Sequence, residues 1–282
     1  MRQSDIPSVY ALVAEMEWNI EISYLEFVFN IDPTGLVVVV KDDGELIGHC
    51  GFLAHSDTIG CFGLNIIKEK YQHMGIGKQM FREAMKVMGD RNIGMNSLSN
   101  RITFYTPFGW TIKSYTFHHN QGPVNPEFIA VVPEGDFEVV SARDIKFDDV
   151  IAYDSEIHTV PRSVYISYWA RHQLANTYVA LKSGRVVGYG VVRPSDVGYK
   201  MYPLYADDPK IAKALFCRLA LHIPAGQVLS FIQPIENDQA NEFVVGNKLT
   251  SRFVMTRLYN KWNIPLDIKR VYSISSSEYG II

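Results

Sequence analysis

The run Gln72-His73-Met74-Gly75-Ile76-Gly77-Lys78 holds the residue types and spacing best suited to chemistry in this chain. It follows a strand-like stretch ending near Ile67 and opens a helix-like one from about Ile76 to Met88. The first amides of a helix have no acceptor within it, and the helix dipole adds partial positive charge there. Such an end suits a pyrophosphate. Gly75 and Gly77 let the backbone approach phosphate oxygens without a Cβ in the way, and Lys78 adds charge at the rim. A dinucleotide fingerprint needs a third glycine where this chain has Met80, and a P-loop needs a wider glycine spacing followed by Lys-Ser/Thr. A plain structural turn accounts for the glycine spacing equally well.

Other chemistries find little support. His118 and His119 are neighbours on a strand, so they face opposite sides and do not share a metal. No Gly-x-Ser-x-Gly elbow and no Cys-His signature points to a hydrolase. Cys50, Cys61 and Cys217 are too few and too dispersed for a disulfide framework or a zinc site.

The elements around the turn follow from pattern. Ser4 and Asp5 can cap a helix carrying Val9, Leu12, Val13 and Met16 on one face, and a second runs from about Glu21 to Phe29. Leu36 to Val40, the turn Asp43-Gly44 and Leu46 to Leu53 form a hairpin, and Thr58 to Ile67 a third strand. Met95 to Leu98 reads as a buried strand, with the aromatic segment Phe104 to Trp110 and further strands to about Val132 behind it. Pro133-Glu134-Gly135 reads as a linker.

The second half repeats this grammar. Helices are expected over Asp144 to Ile157 and Ser163 to Leu174, then a hairpin from Tyr178 to Val192. A strand to Tyr205 and a helix from about Asp208 to Leu221 follow. Gly44 and Gly48 recur as Gly184 and Gly188 at one constant offset, so two copies of one α+β fold is the economical reading.

Bulk composition sets bounds. With 282 residues, 47% hydrophobic and 20% charged, the chain suits two packed domains rather than extended disorder. A net charge of -3 without a basic run argues against a nucleic-acid partner. No basic-then-apolar leader opens the sequence, and no apolar stretch approaches bilayer length. The reading is a cytoplasmic protein with no membrane partner; its oligomeric state is not legible.

Gln72-x-x-Gly75-x-Gly77 after a strand, preceded by the Leu36 to Leu53 hairpin, resembles the acetyl-CoA motif of the GNAT acyltransferase superfamily. Phe104-Tyr105-Thr106-Pro107-Phe108-Gly109-Trp110 resembles that family's Phe-Tyr-x-x-x-Gly-Phe segment, in the right order and separation. Trp18-Asn19, Asp32-Pro33 and several second-half stretches, among them Ser276-Ser277-Glu278, are similar to the YitH-like branch of tandem GNAT proteins.

The resemblance implies two GNAT-like α+β domains (α/β sandwiches), each a mixed, mainly antiparallel sheet flanked by helices. Residues 1–133 would hold the acetyl-CoA site and 137–282 a degenerate second copy. It also implies an N-acetyltransferase: acetyl-CoA as co-substrate, no metal, and direct attack of an amine on the thioester. Ile66 and Ile67 would lie on a splayed strand, with a main-chain N–H near the thioester oxygen. Residues 72 to 78 would hold the pyrophosphate, and Tyr105 would protonate the departing thiolate. The family's Asn seven positions before that Tyr is Leu98 here, with Asn100 nearer, and position 73 is His in place of Arg or Gly.

His49 and Glu69 are the candidates for general base, each equally readable as structural. Trp18 and Asn19 fall where this fold borders the acceptor. In the second half the equivalent turn, Tyr205-Ala206-Asp207-Asp208-Pro209-Lys210, has no glycine. Its carboxylates cap the helix and repel a phosphate, so that half is expected to have lost the cofactor. The rival reading is a non-catalytic acyl-CoA-binding or scaffolding protein on the same fold; a longer acyl chain is a third.

Overall fold

The computed structural model describes residues 1–160 and 162–279. In the first half, α1 (Ile6–Glu15) buries Ile6, Val9, Leu12 and Val13, one helical face, and α2 (Ile22–Ile31) stops at Asp32 before Pro33. The hairpin β1 (Leu36–Val40) and β2 (Leu46–Ala54) continues into β3 (Ile59–Ile67). Helix α3 spans Ile76–Met88, followed by β4 (Asn92–Leu98), the single turn α4 (Ile102–Tyr105) and β5 (Ile112–Pro123). The strands expected on to Val132 end early. Asn125 accepts from the Glu127 amide at 3.1 Å and, with Pro126 behind it, starts the short helix α5 (Pro126–Ala130).

The second half opens with β6 (Glu138–Ser141), a four-residue edge strand too short for a readable alternation. Helices α6 (Phe147–His158) and α7 (Ser163–Arg171) come next, both shorter than their sequence patterns. Strands β7 (Asn176–Lys182), β8 (Arg185–Pro194) and β9 (Tyr199–Ala206) lead to α8 (Pro209–Ala220). Then follow β10 (Val228–Pro234), α9 (Asn241–Gly246), β11 (Thr250–Tyr259) and β12 (Val271–Ser273).

The two halves share one sheet. Its order is β1-β2-β3-β4-β11-β5-β10-β9-β8-β7-β6, with β12 against β9. Each half lends a strand to the other: β11 lies antiparallel between β4 and β5, and β5 lies antiparallel on β10. One core runs beneath α1, α2, α6 and α7. Helix α3 covers a second core with Cys50, Phe52, Ile93 and Met95, and α8 a third.

Each half also contains a parallel pair that opens into a V. Strands β3 and β4 pair only from Ile59–Phe62 against Asn92–Met95, although they run on to Ile67 and Leu98. Strands β9 and β10 pair only at Tyr199 and Lys200 against Leu229 and Ser230. The second V is filled. Strand β12 pairs with β9, the Ser273 hydroxyl accepts from the Ile232 amide at 3.0 Å, and the Ile274 amide donates to the Ile232 carbonyl at 3.0 Å.

Candidate functional site

The glycine turn sits where β3 hands over to α3. Gln72 Nε2 donates to the Ile67 carbonyl at 2.9 Å, tying the loop to the strand it leaves. His73 has φ +63 and Gly75, the residue capping α3, has φ +83. That φ is what requires glycine at 75, because an added Cβ would meet nothing within 4 Å. At Gly77 a Cβ would stand 3.6 Å from Ile67 and 3.9 Å from Phe104, ordinary contacts. Nothing inside the fold demands glycine at 77, so its bare surface matters for what approaches from outside.

A cavity of about 970 Å³ extends from this turn into the open V, within the range of ligand sites. Gln72, His73, Gly75, Gly77 and Lys78 line one end. Gly63 to Ile67 and Met95 to Leu98 form the walls of the V, with Arg101, Phe104 and Tyr105 beside them. The β2–β3 register slips between His49 and Gly51, where Leu64 takes φ +52. This bulge re-aims β3 as it leaves β4, so the β3 edge beyond Phe62 has no ladder partner on β4. Ile66 and Ile67 on this edge both line the cavity.

Tyr105 closes α4 against the wall. Its hydroxyl accepts from Asn65 Nδ2 at 3.1 Å. Burial pushes the phenol up to about 12, offset in part by Asn65 and Arg101. It is therefore a neutral proton donor at physiological pH.

Five other expected residues stand off the cavity. His49 is buried on β2, with Nδ1 3.0 Å from the Val37 carbonyl and Nε2 3.4 Å from the Tyr279 hydroxyl. Burial lowers its pKa to about 4, and its ring belongs to the core. Glu69 is exposed in the short turn Glu69–Tyr71 and does not line the cavity, so neither base candidate reaches the site. Met74 is 67% exposed and turned outward. Asn100 is exposed in the turn after β4, where Leu98 and Arg101 on either side line the cavity instead. Ile76 is half-buried at the start of α3 and outside the lining.

Trp18 and Asn19 do border the cavity, at its far end. Asn19 Nδ2 donates to Ser195 Oγ and to the Val197 carbonyl, each at 3.0 Å, and Oδ1 accepts from the Val197 amide at 3.1 Å. Its side chain thus clamps the β8–β9 turn to the first half. Sequence reasoning missed Asn65 and Arg101, and also His119, Arg252, Phe253, Ser277 and Glu278, which the shared sheet and the C-terminal segment bring in. No group of three or more His, Cys, Asp or Glu is placed to hold a metal among the described residues. Among them, too, no helix is long and apolar enough to cross a membrane.

Two family profiles, both described as acetyltransferase (GNAT) domain, match residues 33–112 and 150–273. The chain belongs to the GNAT superfamily as a tandem of two GNAT domains. Holothin acyltransferase of Pseudoalteromonas sp. (strain SANK 73390) is 22% identical over 218 residues, covering 77% of this chain and 72% of that protein. A putative acetyltransferase structure from Pyrococcus horikoshii superposes with TM-score 0.78 at 19% identity, covering 99% of this chain and 94% of that one. A tandem GNAT protein from the clavulanic acid biosynthesis pathway gives TM-score 0.66 at 11% identity, with 91% and 94% covered. These likenesses agree on the fold.

In the second GNAT domain the counterpart of the glycine turn is closed. Asp208 caps α8, accepting from the Lys210 and Ile211 amides at 2.8 and 3.0 Å. Asp207 is held by Tyr153 at 3.0 Å and by Arg270 at 2.7 Å. The amides free in the first domain are thus taken in the second.

Proposed function

We propose that this tandem GNAT protein is an N-acetyltransferase that carries an acetyl group from acetyl-CoA to the primary amine of a small molecule or peptide. The division is the one expected from sequence, with residues 1–133 holding acetyl-CoA and 137–282 a degenerate domain that walls the acceptor side. The observation that carries the reading is continuity: the uncapped start of α3, the open V and the Tyr105 hydroxyl line one cavity.

The thioester supplies an activated acyl carbon when bound. Amides at residues 72 to 78 receive the pyrophosphate, with Lys78 at the rim. A β3 main-chain N–H at Ile66 or Ile67 faces the thioester oxygen and stabilises charge developing there. The Tyr105 proton goes to the departing sulfur.

Calorimetry with Gly75→Glu tests the assignment. The substituted side chain strains a positive φ and puts a carboxylate at the anion end, so acetyl-CoA binding should vanish. Unchanged binding refutes the site. The rival scaffold reading predicts instead that acetyl-CoA binds but no amine ever releases free thiol.

A further inference from the structure

The cavity has a second compartment that the transfer reading leaves without a role. Beyond the V it is walled by the loop after α1, by β5 and β11, and by the C-terminal segment. That segment fills the V of the second domain with residues 271–274 and then crosses to the V of the first. Asn96 Nδ2 on β4 donates to the Ser277 carbonyl at 3.1 Å. On β3, a Cβ at Gly63 would stand 2.9 Å from the Glu278 carbonyl oxygen, so the segment runs hard against both arms.

Two side chains there are equipped for a ligand. The carboxylates lining the cavity are Glu17 and Glu278. Glu17 is 84% exposed at the rim and pairs with Arg252 at 3.6 Å. Glu278 lies deeper, held by Ser276 Oγ at 2.7 Å and by the Ser277 hydroxyl. Two donors leave a carboxylate with lone pairs to spare. The other side chain is His119 on β5, 7% exposed, edge-on to Phe253 at 4.5 Å. Neither of its ring nitrogens has a hydrogen-bond partner among the described residues. A buried polar group left so costs stability unless a ligand satisfies it.

We infer that Glu278 receives the acceptor's ammonium group and takes its proton, while His119 hydrogen-bonds a neutral polar group elsewhere on the acceptor. This rests on the transfer reading above. The acceptor class is a compact primary amine with an apolar or aromatic body, to fit Trp18, Phe253 and Met255, and a hydroxyl or carbonyl at some distance from the nitrogen. Burial, then Lys200 and Arg252, lower the His119 pKa to about 3, so the imidazole meets its ligand neutral.

The proton balance closes. One ammonium proton passes to a Glu278 oxygen. The freed nitrogen lone pair forms the C–N bond, and the C–S bond breaks with its electron pair on sulfur. Tyr105 protonates that sulfur and regains a proton from the second excess N–H, and Glu278 releases its own to water. The other titratable groups that sense the Glu278 charge are the phenols of Tyr24, Tyr165, Tyr202 and Tyr279, all raised chiefly by burial, and the Lys200 ammonium. None of the phenols competes as a base near neutral pH.

The test uses the full chain with tyramine as probe, para-ethylphenol as its uncharged control and phenethylamine as the control lacking the hydroxyl. Glu278→Gln should bind acetyl-CoA within a few-fold of wild type, keep its melting temperature, and acetylate tyramine at least ~100-fold more slowly. Its rate should lose the acid limb of the pH profile, and Glu278→Asp should restore that limb. His119→Leu should raise KM for tyramine and leave KM for phenethylamine unchanged. The inference falls if Glu278→Gln works at the wild-type rate. It also falls if para-ethylphenol binds as well as tyramine, or if neither amine binds to protein that binds acetyl-CoA. Failure of wild type to bind acetyl-CoA sinks the transfer reading instead.

Discussion

Asn65 donates to the Tyr105 hydroxyl oxygen at 3.1 Å, from the bulged end of β3 to the end of α4. Because the phenol accepts this bond, its own proton stays free to be given away. The same bond fixes where the phenol points. Tyr105→Phe should therefore lower kcat by about 10- to 100-fold while the KM for acetyl-CoA moves less than about threefold. Asn65→Ala should show the same pattern with a smaller loss. Free-thiol release under saturating acetyl-CoA measures both, and a defect confined to KM would place Tyr105 in binding alone.

A single chain should bind one acetyl-CoA. The second domain has spent its helix-start amides on Asp208 and its V on β12. Calorimetry on the full chain reads the stoichiometry, and a second site would overturn the division of labour. Asp208→Ala should cost about 1 kcal/mol by removing the cap without changing acetyl-CoA affinity. The full chain is required because separated halves would lose the exchange of β5 and β11.

Local features of this molecule were legible and long-range ones were not. The periodicity from Ile76 to Met88 is a property of adjacent residues, and that helix appears where the sequence puts it. The duplicated hairpin around Gly44 and Gly184 was equally readable. Nothing in Thr250–Tyr259 says that its partner is β4 of the other half, since an alternating strand fits many neighbours. Glu278 was hidden for the same reason: its neighbour Gly63 lies on β3 in the other half of the chain. His49 misled because a strand histidine has the chemistry of a base, and only burial reveals that this one faces the core.

The halves are also joined by a buried charge cluster. Glu21, at the start of α2, meets Lys200 at 2.9 Å and Arg193 at 3.3 Å, and Arg193 stacks on Trp169 at 3.6 Å. Burial opposes the Glu21 charge, but the two cations outweigh it and hold its pKa below the usual carboxylate range. Glu21→Gln would leave two buried like charges facing each other. A loss of about 3–5 kcal/mol in urea unfolding is expected, as for other broken buried pairs. A loss under about 1 kcal/mol would mean that water reaches the cluster.

Stability should fall as the medium is acidified through the histidine range. Burial lowers His49 and His55 to about 4 and His119 to about 3, and takes His158 well below normal. The fold therefore keeps these rings neutral, whereas the unfolded chain protonates them near pH ~6.5. Between that value and the folded pKa values the unfolded state binds more protons, so stability rises with pH across the window. Each histidine contributes up to about 1.4 kcal/mol per pH unit there. Urea midpoints from about pH 7 down to about pH 5, where most carboxylates stay ionised in both states, isolate the effect. His55, held against the Tyr279 carbonyl at 3.1 Å, is the residue to vary outside the cavity. His55→Gln should flatten the slope by about one histidine's share, and a midpoint independent of pH in the wild type would mean the rings protonate within the fold.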